Sequence, residues 1–410
     1  MKSHPAGALD KWFDNRTGQL IDPLGDEFLE SLAICCAAGN FVRILLEQKP
    51  LKMGMHTVVW ITDRHRTAGI TVVSIFERDE PVATSETLVQ PILHCHLEGA
   101  AGPALIRQLA ERNNITLPET LFTPDDRFAW ADFPGFLSTY DDASQAIRTA
   151  QDYRDVTYAY LADCAIEGAV YVEVMSSPDH AAAAGLSYEA HLEGIVQGID
   201  DAERDHGVIG RLIVTCVRHF GPAQAMKVAD QVCGSPHPYV VGFGMGGNEL
   251  VHTFKDFQPA FDRVHRAGLP CTVHAGEWAG AASVNEALDT LPVQRIGHGV
   301  RAVEDKHVLE RLARESVHLE VCPTSNVMTR IYPDYDAHPF NMLRDAGISV
   351  SLNSDDPPYF ATTIGREYEI AGSRLGLDDR DLLQISEDAI AAAFVDQKTR
   401  RILLEKIQRN

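Results

Sequence analysis

The 410-residue sequence predicts an α/β fold, a (β/α)8 barrel of the TIM type preceded by an N-terminal extension. Three observations carry that prediction. From residue 88 onward, short apolar runs rich in β-branched residues alternate with amphipathic helical patterns. There are eight such runs. The histidines and carboxylates that stand out as candidate site residues all fall at or just past the end of one of them, where barrels of this kind do their chemistry.

The runs are 89–94, 169–174, 212–217, 239–243, 271–274, 295–297, 318–321 and 349–353. Between the first two lies a helical pattern over 152–167, in which Val156, Tyr160 and Cys164 recur every fourth residue. Another helix begins near Asp256, with Phe257, Phe261 and Val264 on one face and Gly268 and Pro270 as stop signals. Residues 88–410 therefore read as one barrel. Residues 1–87 fall outside the scheme: 27–46 reads as a helix, 57–62 and 69–76 as two strands, and none carries a recognisable site residue. The segment reads as an extension of unknown role.

Composition narrows the function. A formal net charge of −22 argues against a nucleic-acid partner, which requires a positive footprint. A hydrophobic fraction of 45% with 23% charged residues is that of a soluble globular enzyme acting on small ligands. The eight cysteines (35, 36, 95, 164, 216, 233, 271 and 322) form no Cys-x-x-Cys pair, and several lie in apolar runs. They read as buried reduced thiols in a cytoplasmic protein. The Met1–Pro5 terminus lacks the apolar region of a signal peptide, and the apolar stretch 32–46 is broken by Asn40 and Arg43, so neither export nor a membrane span is expected.

The first strand ends in His94-Cys95-His96-Leu97-Glu98-Gly99-Ala100. Side chains two apart on a strand share a face, so one short segment can deliver two imidazoles to one point. A His-x-His pair alone is weak, because 17 histidines produce such spacings by chance and core histidines are common. Its company is the stronger signal: His274-Ala275-Gly276-Glu277, Gly297-His298-Gly299 and Ser354-Asp355-Asp356-Pro357. Each alone has an ordinary reading, as a helix start, a tight loop or a surface turn. Together they hold the imidazoles and carboxylate with which zinc keeps a position open for water. His94, His96, His274 and Asp355 are the expected ligands, and Glu277 is placed to give or take a proton. His298 has glycines on both sides and room to approach a water. Asp356, next to Asp355, would sit on the opposite side of a regular strand, with Pro357 keeping it extended. This is the inventory of a metal-dependent hydrolase.

These motifs, with Arg295-Ile296-Gly297-His298-Gly299, Cys322-Pro323-Thr324-Ser325-Asn326 and Ser351-Leu352-Asn353-Ser354-Asp355-Asp356-Pro357, closely resemble the adenosine deaminase family of the amidohydrolase superfamily. The likeness runs from about Pro91 to near the C-terminus, and includes Asp132-Phe133-Pro134-Gly135-Phe136-Leu137, which looks like that family's helical lid. The resemblance implies one Zn2+ per chain, held by His94, His96, His274 and Asp355. It implies hydrolytic removal of a purine 6-amino group, with Glu277 protonating ring N1 and His298 orienting or deprotonating the water. Asp356 would bind N7, Gly247 would offer its backbone N–H to N3, and Glu98 would face the ribose side. Adenosine or deoxyadenosine, in purine salvage, is the leading substrate so implied. Departures on the sugar side are Glu98, where adenosine-specific members usually carry Asp, and Gly244 and Asn248, where the common pattern has aspartates. They keep open free adenine or a modified nucleoside such as aminodeoxyfutalosine. A two-metal cyclic amidohydrolase would need a bridging carboxylate in 239–247, and none stands there. A non-catalytic binding relative would not need the intact ligand set and Glu277.

Overall fold

A computed structural model of the chain describes residues 32–37, 41–46, 57–62, 69–74 and 89–408. Two compact units divide the sequence, Met1–Thr84 and Ser85–Asn410. The first contains an antiparallel meander of four strands, β1 (Leu32–Ala37), β2 (Phe41–Leu46), β3 (Thr57–Thr62) and β4 (Gly69–Ser74), in sequential order. The expected helix over 27–46 is corrected here. Ala37 pairs with Phe41 and Leu32 with Leu46, so the described parts of this stretch are two antiparallel strands rather than one helix, in keeping with the turn-forming Gly39-Asn40 sequence that separates them. Ile34, Val42 and Ile44 add β-branched propensity. The strand read at 57–62 is β3, and most of that read at 69–76 is β4; the remainder of 69–76 and of 27–46 lies outside the described residues.

The second unit is the barrel. Its strands are β5 (Gln90–Ile92), β6 (Ala169–Ser176), β7 (Ile209–Val217), β8 (Val240–Gly246), β9 (Cys271–Ala275), β10 (Val293–His298), β11 (His318–Val321) and β12 (Val350–Leu352). Each pairs in parallel with the next. The ring is completed past the ends of β5 and β12, where Cys95 bridges Asp355: the His96 N–H donates to the Asp355 carbonyl at 3.1 Å and the Asp355 N–H to the His94 carbonyl at 3.3 Å. All eight expected strands are present. Because helices cover the outer face, the strands are buried on both sides and read as near-continuous apolar runs.

Capping chemistry explains where the helices begin. Thr149 and Asp152 form a capping box that starts the helix Ala150–Ile166. Thr253 and Asp256 do the same for Phe254–Arg266, so the Asp256 read as a helix start is its third residue. Phe257, Phe261 and Val264 face the core as expected. The segment read as a lid is a helix, Phe133–Ser144, whose Asp132 side chain caps the Gly135 N–H at 2.9 Å. Among the described residues, no helix is long and apolar enough to cross a membrane.

Candidate active site

At the C-terminal ends of the strands lies a cleft of about 680 Å3. His96, Glu98, Gly247, His274, Glu277, His298, Asp355 and Asp356 all line it. His94, fully buried, stands behind them. His94, His96, His274 and Asp355 each offer one ligand atom, and these atoms lie within 4.8 Å of one another. The outer ring nitrogens fix the tautomers. His94 Nδ1–H donates to Glu320 Oε2 at 2.7 Å, and His274 Nδ1–H to the Met245 carbonyl at 2.9 Å, so each turns an Nε2 lone pair inward. The Nε2 atoms of His96 and His274 are 3.1 Å apart, and Asp355 Oδ1 lies 3.5 Å from His94 Nε2 and 3.4 Å from His96 Nε2. His94 Nε2 is buried without a hydrogen-bond partner. Buried lone pairs converging on a carboxylate repel one another unless a cation sits among them, so the donor set fits a metal.

Backbone strain places the carboxylate. Asp355 has φ +58°, in the left-handed region. Regular strand alternation does not continue through it, because β12 ends at Leu352 and Pro357 opens a short helix, Pro357–Phe360, with Asp356 as its N-cap. This corrects the extended geometry expected for Asp355-Asp356: the left-handed residue lets both side chains face the cleft. Ser325 Oγ donates to Asp355 Oδ2 at 2.7 Å. Asp356 Oδ1 is buried and unpartnered. Burial and the adjacent Asp355 charge push the Asp356 pKa well above the usual carboxylate range. Gly99 is required here, since a Cβ on it would lie 1.7 Å from Asp356 Oδ1.

Glu277 follows Gly276, whose φ of +67° turns the chain off β9. Burial, then the charges of Asp355 and Glu249, raise the Glu277 carboxyl well above its ordinary value, which favours its protonated form. His298 also adopts a positive φ, +58°. Its Nε2 lies 3.8 Å from Glu277 Oε2 and 3.9 Å from Asp355 Oδ2, and burial pushes its pKa down to about 3, leaving a neutral base. The flanking glycines do serve close packing: a Cβ on Gly297 would meet His94 at 2.8 Å, and one on Gly299 would meet Leu319 at 2.6 Å. Glu98 sits in a buried turn after His96 and accepts from Ser176 Oγ (2.6 Å), the Ser177 N–H (3.3 Å) and Tyr140 OH (3.3 Å). Gly247, at φ +95°, follows the end of β8.

Sequence reasoning missed the supports. Glu249 accepts the backbone N–H groups of Gly276 (2.6 Å), Glu277 (3.1 Å), Trp278 (2.7 Å) and Ala279 (2.9 Å), and so ties down the loop that carries Glu277. Glu320 bridges His94 to Arg295. Asn326 lies 3.2 Å from His298 Nδ1. Cys322 is near enough to His94, His298 and Asp355 to group with them, although burial raises its thiol well above the usual range. Asp141, His180 and His219 also line the cleft. Periodicity carries no signal for such pairs; only the run Cys322-Pro323-Thr324-Ser325-Asn326 brought Asn326 and Cys322 into view.

A parallel barrel that gathers three imidazoles and a carboxylate at the C-terminal ends of its strands defines a metal-dependent hydrolase. Residues 90–410 match the family model described as adenosine deaminase, and the chain belongs to that family. It is a hydrolytic deaminase acting on a C–N bond. It is 45% identical over 321 residues to an adenine deaminase of Chelativorans sp. (strain BNC1), a match spanning 78% of this chain and 98% of the relative. An adenine deaminase of Rhizobium rhizogenes is 44% identical over 315 residues, 77% of this chain and 97% of the relative. Among solved structures, an adenine deaminase from Arthrobacter aurescens superposes with a TM-score of 0.73 at 32% identity, covering 79% of this chain and 99% of the other. An amidohydrolase from Burkhoderia ambifaria with bound Zn gives 0.70 at 26% identity, covering 79% and 93%.

Proposed function

We propose that residues 88–410 catalyse the hydrolytic deamination of free adenine to hypoxanthine and ammonia, with one zinc ion held by His94, His96, His274 and Asp355. The observation that carries this reading is the convergence, in one cleft, of that donor set with a buried Glu277 and a buried Asp356 whose Oδ1 has no partner, both in surroundings that raise a carboxyl pKa. The choice of free base over adenosine, the leading expectation from sequence, draws support from relatives named adenine deaminase that match over nearly their whole length.

The ion would supply Lewis acidity and draw the pKa of a water towards about 7. The rest falls to the protein. Addition at C6 breaks the ring's aromaticity and drives electron density onto N1, so Glu277 delivers its proton there as the bond forms. His298, neutral and within reach of Glu277, orients the water and passes on its proton. One water proton leaves with the amine as ammonia, and the other restores Glu277. Asp356 donates to N7, and the Gly247 N–H bonds N3. Spectrophotometric kcat/KM values for adenine, adenosine and a modified aminopurine nucleoside test the assignment. Adenine should exceed adenosine by about 10² or more. Preference for adenosine, or turnover of the modified nucleoside alone, refutes it.

A further inference from the structure

We infer that Glu367 is a positioning residue for the hydrolytic centre. It fixes the short helix after β11, and through Ser325 and Asn326 it sets the Asp355 carboxylate and the His298 ring. The inference deepens the zinc reading above and rests on it, because Asp355 is a proposed ligand there. Glu367 lies on the helix Ile364–Ser373, is fully buried and is not among the residues that line the cleft. No step of the proposed reaction uses it.

The contacts form one continuous line. The helix Pro323–Met328 opens at Cys322, whose side chain offers it no cap. The first N–H groups of a helix have no partner inside it, and Pro323 has no N–H at all. The Thr324 N–H is instead met from 43 residues away, where Glu367 Oε2 accepts it at 3.2 Å. Glu367 Oε1 accepts from Thr362 Oγ1 at 2.5 Å, in the segment that follows β12 and the helix opened by Asp356. One carboxyl thus joins the chain after β11 to the chain after β12. The next two residues of the short helix reach the centre. Ser325 Oγ donates to Asp355 Oδ2 at 2.7 Å, and Asn326 Nδ2 lies 3.2 Å from His298 Nδ1. Asn326 is steadied from its other side, where its Oδ1 lies 3.2 Å from His338 Nε2.

Energetics separate this arrangement from ordinary capping. A buried carboxyl is costly unless a cation neutralises it. Among the described residues Glu367 makes no ion pair, and its neighbour Arg366 pairs with Glu369 instead. Burial drives the Glu367 pKa up to about 7, against the hydrogen bonds from Thr324 and Thr362 and the charge of Arg366. A hydroxyl or an amide would cap the helix at less cost. What a carboxyl adds is two acceptor atoms in one rigid plane, so a shift of either loop is felt by the other. Ser325 and Asn326 have short side chains, and movement of their backbone therefore carries over to Asp355 and His298.

The test uses the full chain, with zinc affinity read by competition against a chelator and kcat and KM by adenine turnover. Glu367→Met keeps the volume and removes both acceptors. It should weaken zinc about tenfold and lower kcat about 10–100-fold, with KM within about threefold of wild type. Ser325→Ala should weaken zinc by a similar factor. Both variants break one chain of contacts, so the double variant should hold zinc within about twofold of the weaker single. Glu367→Gln should keep zinc affinity and kcat within about threefold of wild type, its amide oxygen accepting from Thr324 and its nitrogen donating to Thr362. Circular dichroism verifies folding. Should Glu367→Met not fold, Thr362→Val removes one of the two bonds and should weaken zinc about threefold, with the same coupling to Ser325→Ala. Unchanged zinc affinity and kcat in the folded variant would make Glu367 a structural cap and overturn the inference. Additive losses in the double variant, or a Gln variant as damaged as Met, overturn it too. Failure of the adenine assignment alone leaves the zinc measurements decisive, since they need no substrate. A wild type without tightly bound zinc defeats the parent reading instead, and this one with it.

Discussion

At the scale of single residues, the proposed mechanism asks some groups of the cleft to hold a cation and one to hold a proton. Asp355 and Glu277 are both buried carboxyls, yet their surroundings drive them apart. Burial opposes the charge on each, but His94, His298 and His96 hold Asp355 well below the usual carboxylate range, whereas Glu277 meets mainly the negative charges of Asp355 and Glu249. Glu277→Gln keeps the shape and removes the transferable proton. Its kcat should fall by about 10² or more with KM little changed; a change confined to KM would reassign Glu277 to binding. Asp355→Ala should instead abolish both tight zinc retention and activity, read by metal analysis of purified protein. Full activity in protein stripped of metal would contradict the whole arrangement. The residues proposed as ligands were legible in the sequence as a candidate set because each sits within a few residues of a strand end, where a local pattern records it. The Asp355-Asp356 conformation was not, since strand alternation says nothing about a left-handed residue.

At the scale of elements, the strand-to-helix loops are held from outside their own sequence. The loop after β9 carries Glu277, and its N–H groups at 276–279 all point at Glu249, which follows β8. Nothing in His274-Ala275-Gly276-Glu277 reveals that dependence, because the partner is remote in sequence. Glu249→Ala should leave buried donors unpaired and the acid misplaced. We expect kcat to drop by about tenfold to a hundredfold with zinc content unchanged; loss of zinc, or unchanged kcat, would show that the loop keeps its shape unaided. The lid is similar. It came into view only through the likeness of Asp132-Phe133-Pro134-Gly135-Phe136-Leu137 to the family's lid, and its contacts did not: Phe133 packs against Trp278, ring centroids 4.5 Å apart, directly beside Glu277. The N-terminal meander shows the opposite failure. An apolar stretch such as 32–46 fits helix or strand by composition, and the Gly39-Asn40 turn signal had to outrank the helical reading.

At the scale of the molecule, the site stands on an ionic array that crosses the barrel interior. Arg295, 1% exposed, lies 2.7 Å from Glu173 Oε2 and 2.6 Å from Glu320 Oε1, with its guanidinium 3.7 Å above the Phe394 ring. Glu320 then reaches His94. Strand periodicity gives no hint of this, since an arginine on a barrel strand reads as outward-facing. Burial alone would raise the Glu320 pKa, but Arg295, His94 and Thr272 outweigh it and bring it down to about 2. A carboxyl depressed by folding contributes stability that is fully present above its unfolded value of about 4.5 and is lost as pH falls towards 2. Arg295→Met would leave two carboxylates in the core without their cation, at a cost of about 3–5 kcal/mol. The array also predicts a signature that simple loss of packing would not give. In the variant, Glu320 loses its chief counter-charge and its pKa moves up, so acid unfolding should begin at higher pH and retain less of the wild-type dependence between pH 4.5 and 2. Zinc should be held about 10–100-fold more weakly, because the partner of His94 is no longer fixed in place. Thermal melts across that pH range, paired with competition against a chelator at neutral pH, measure both effects; a variant that melts lower at every pH by the same amount and binds zinc normally would reduce Arg295 to a core residue with no reach to the metal.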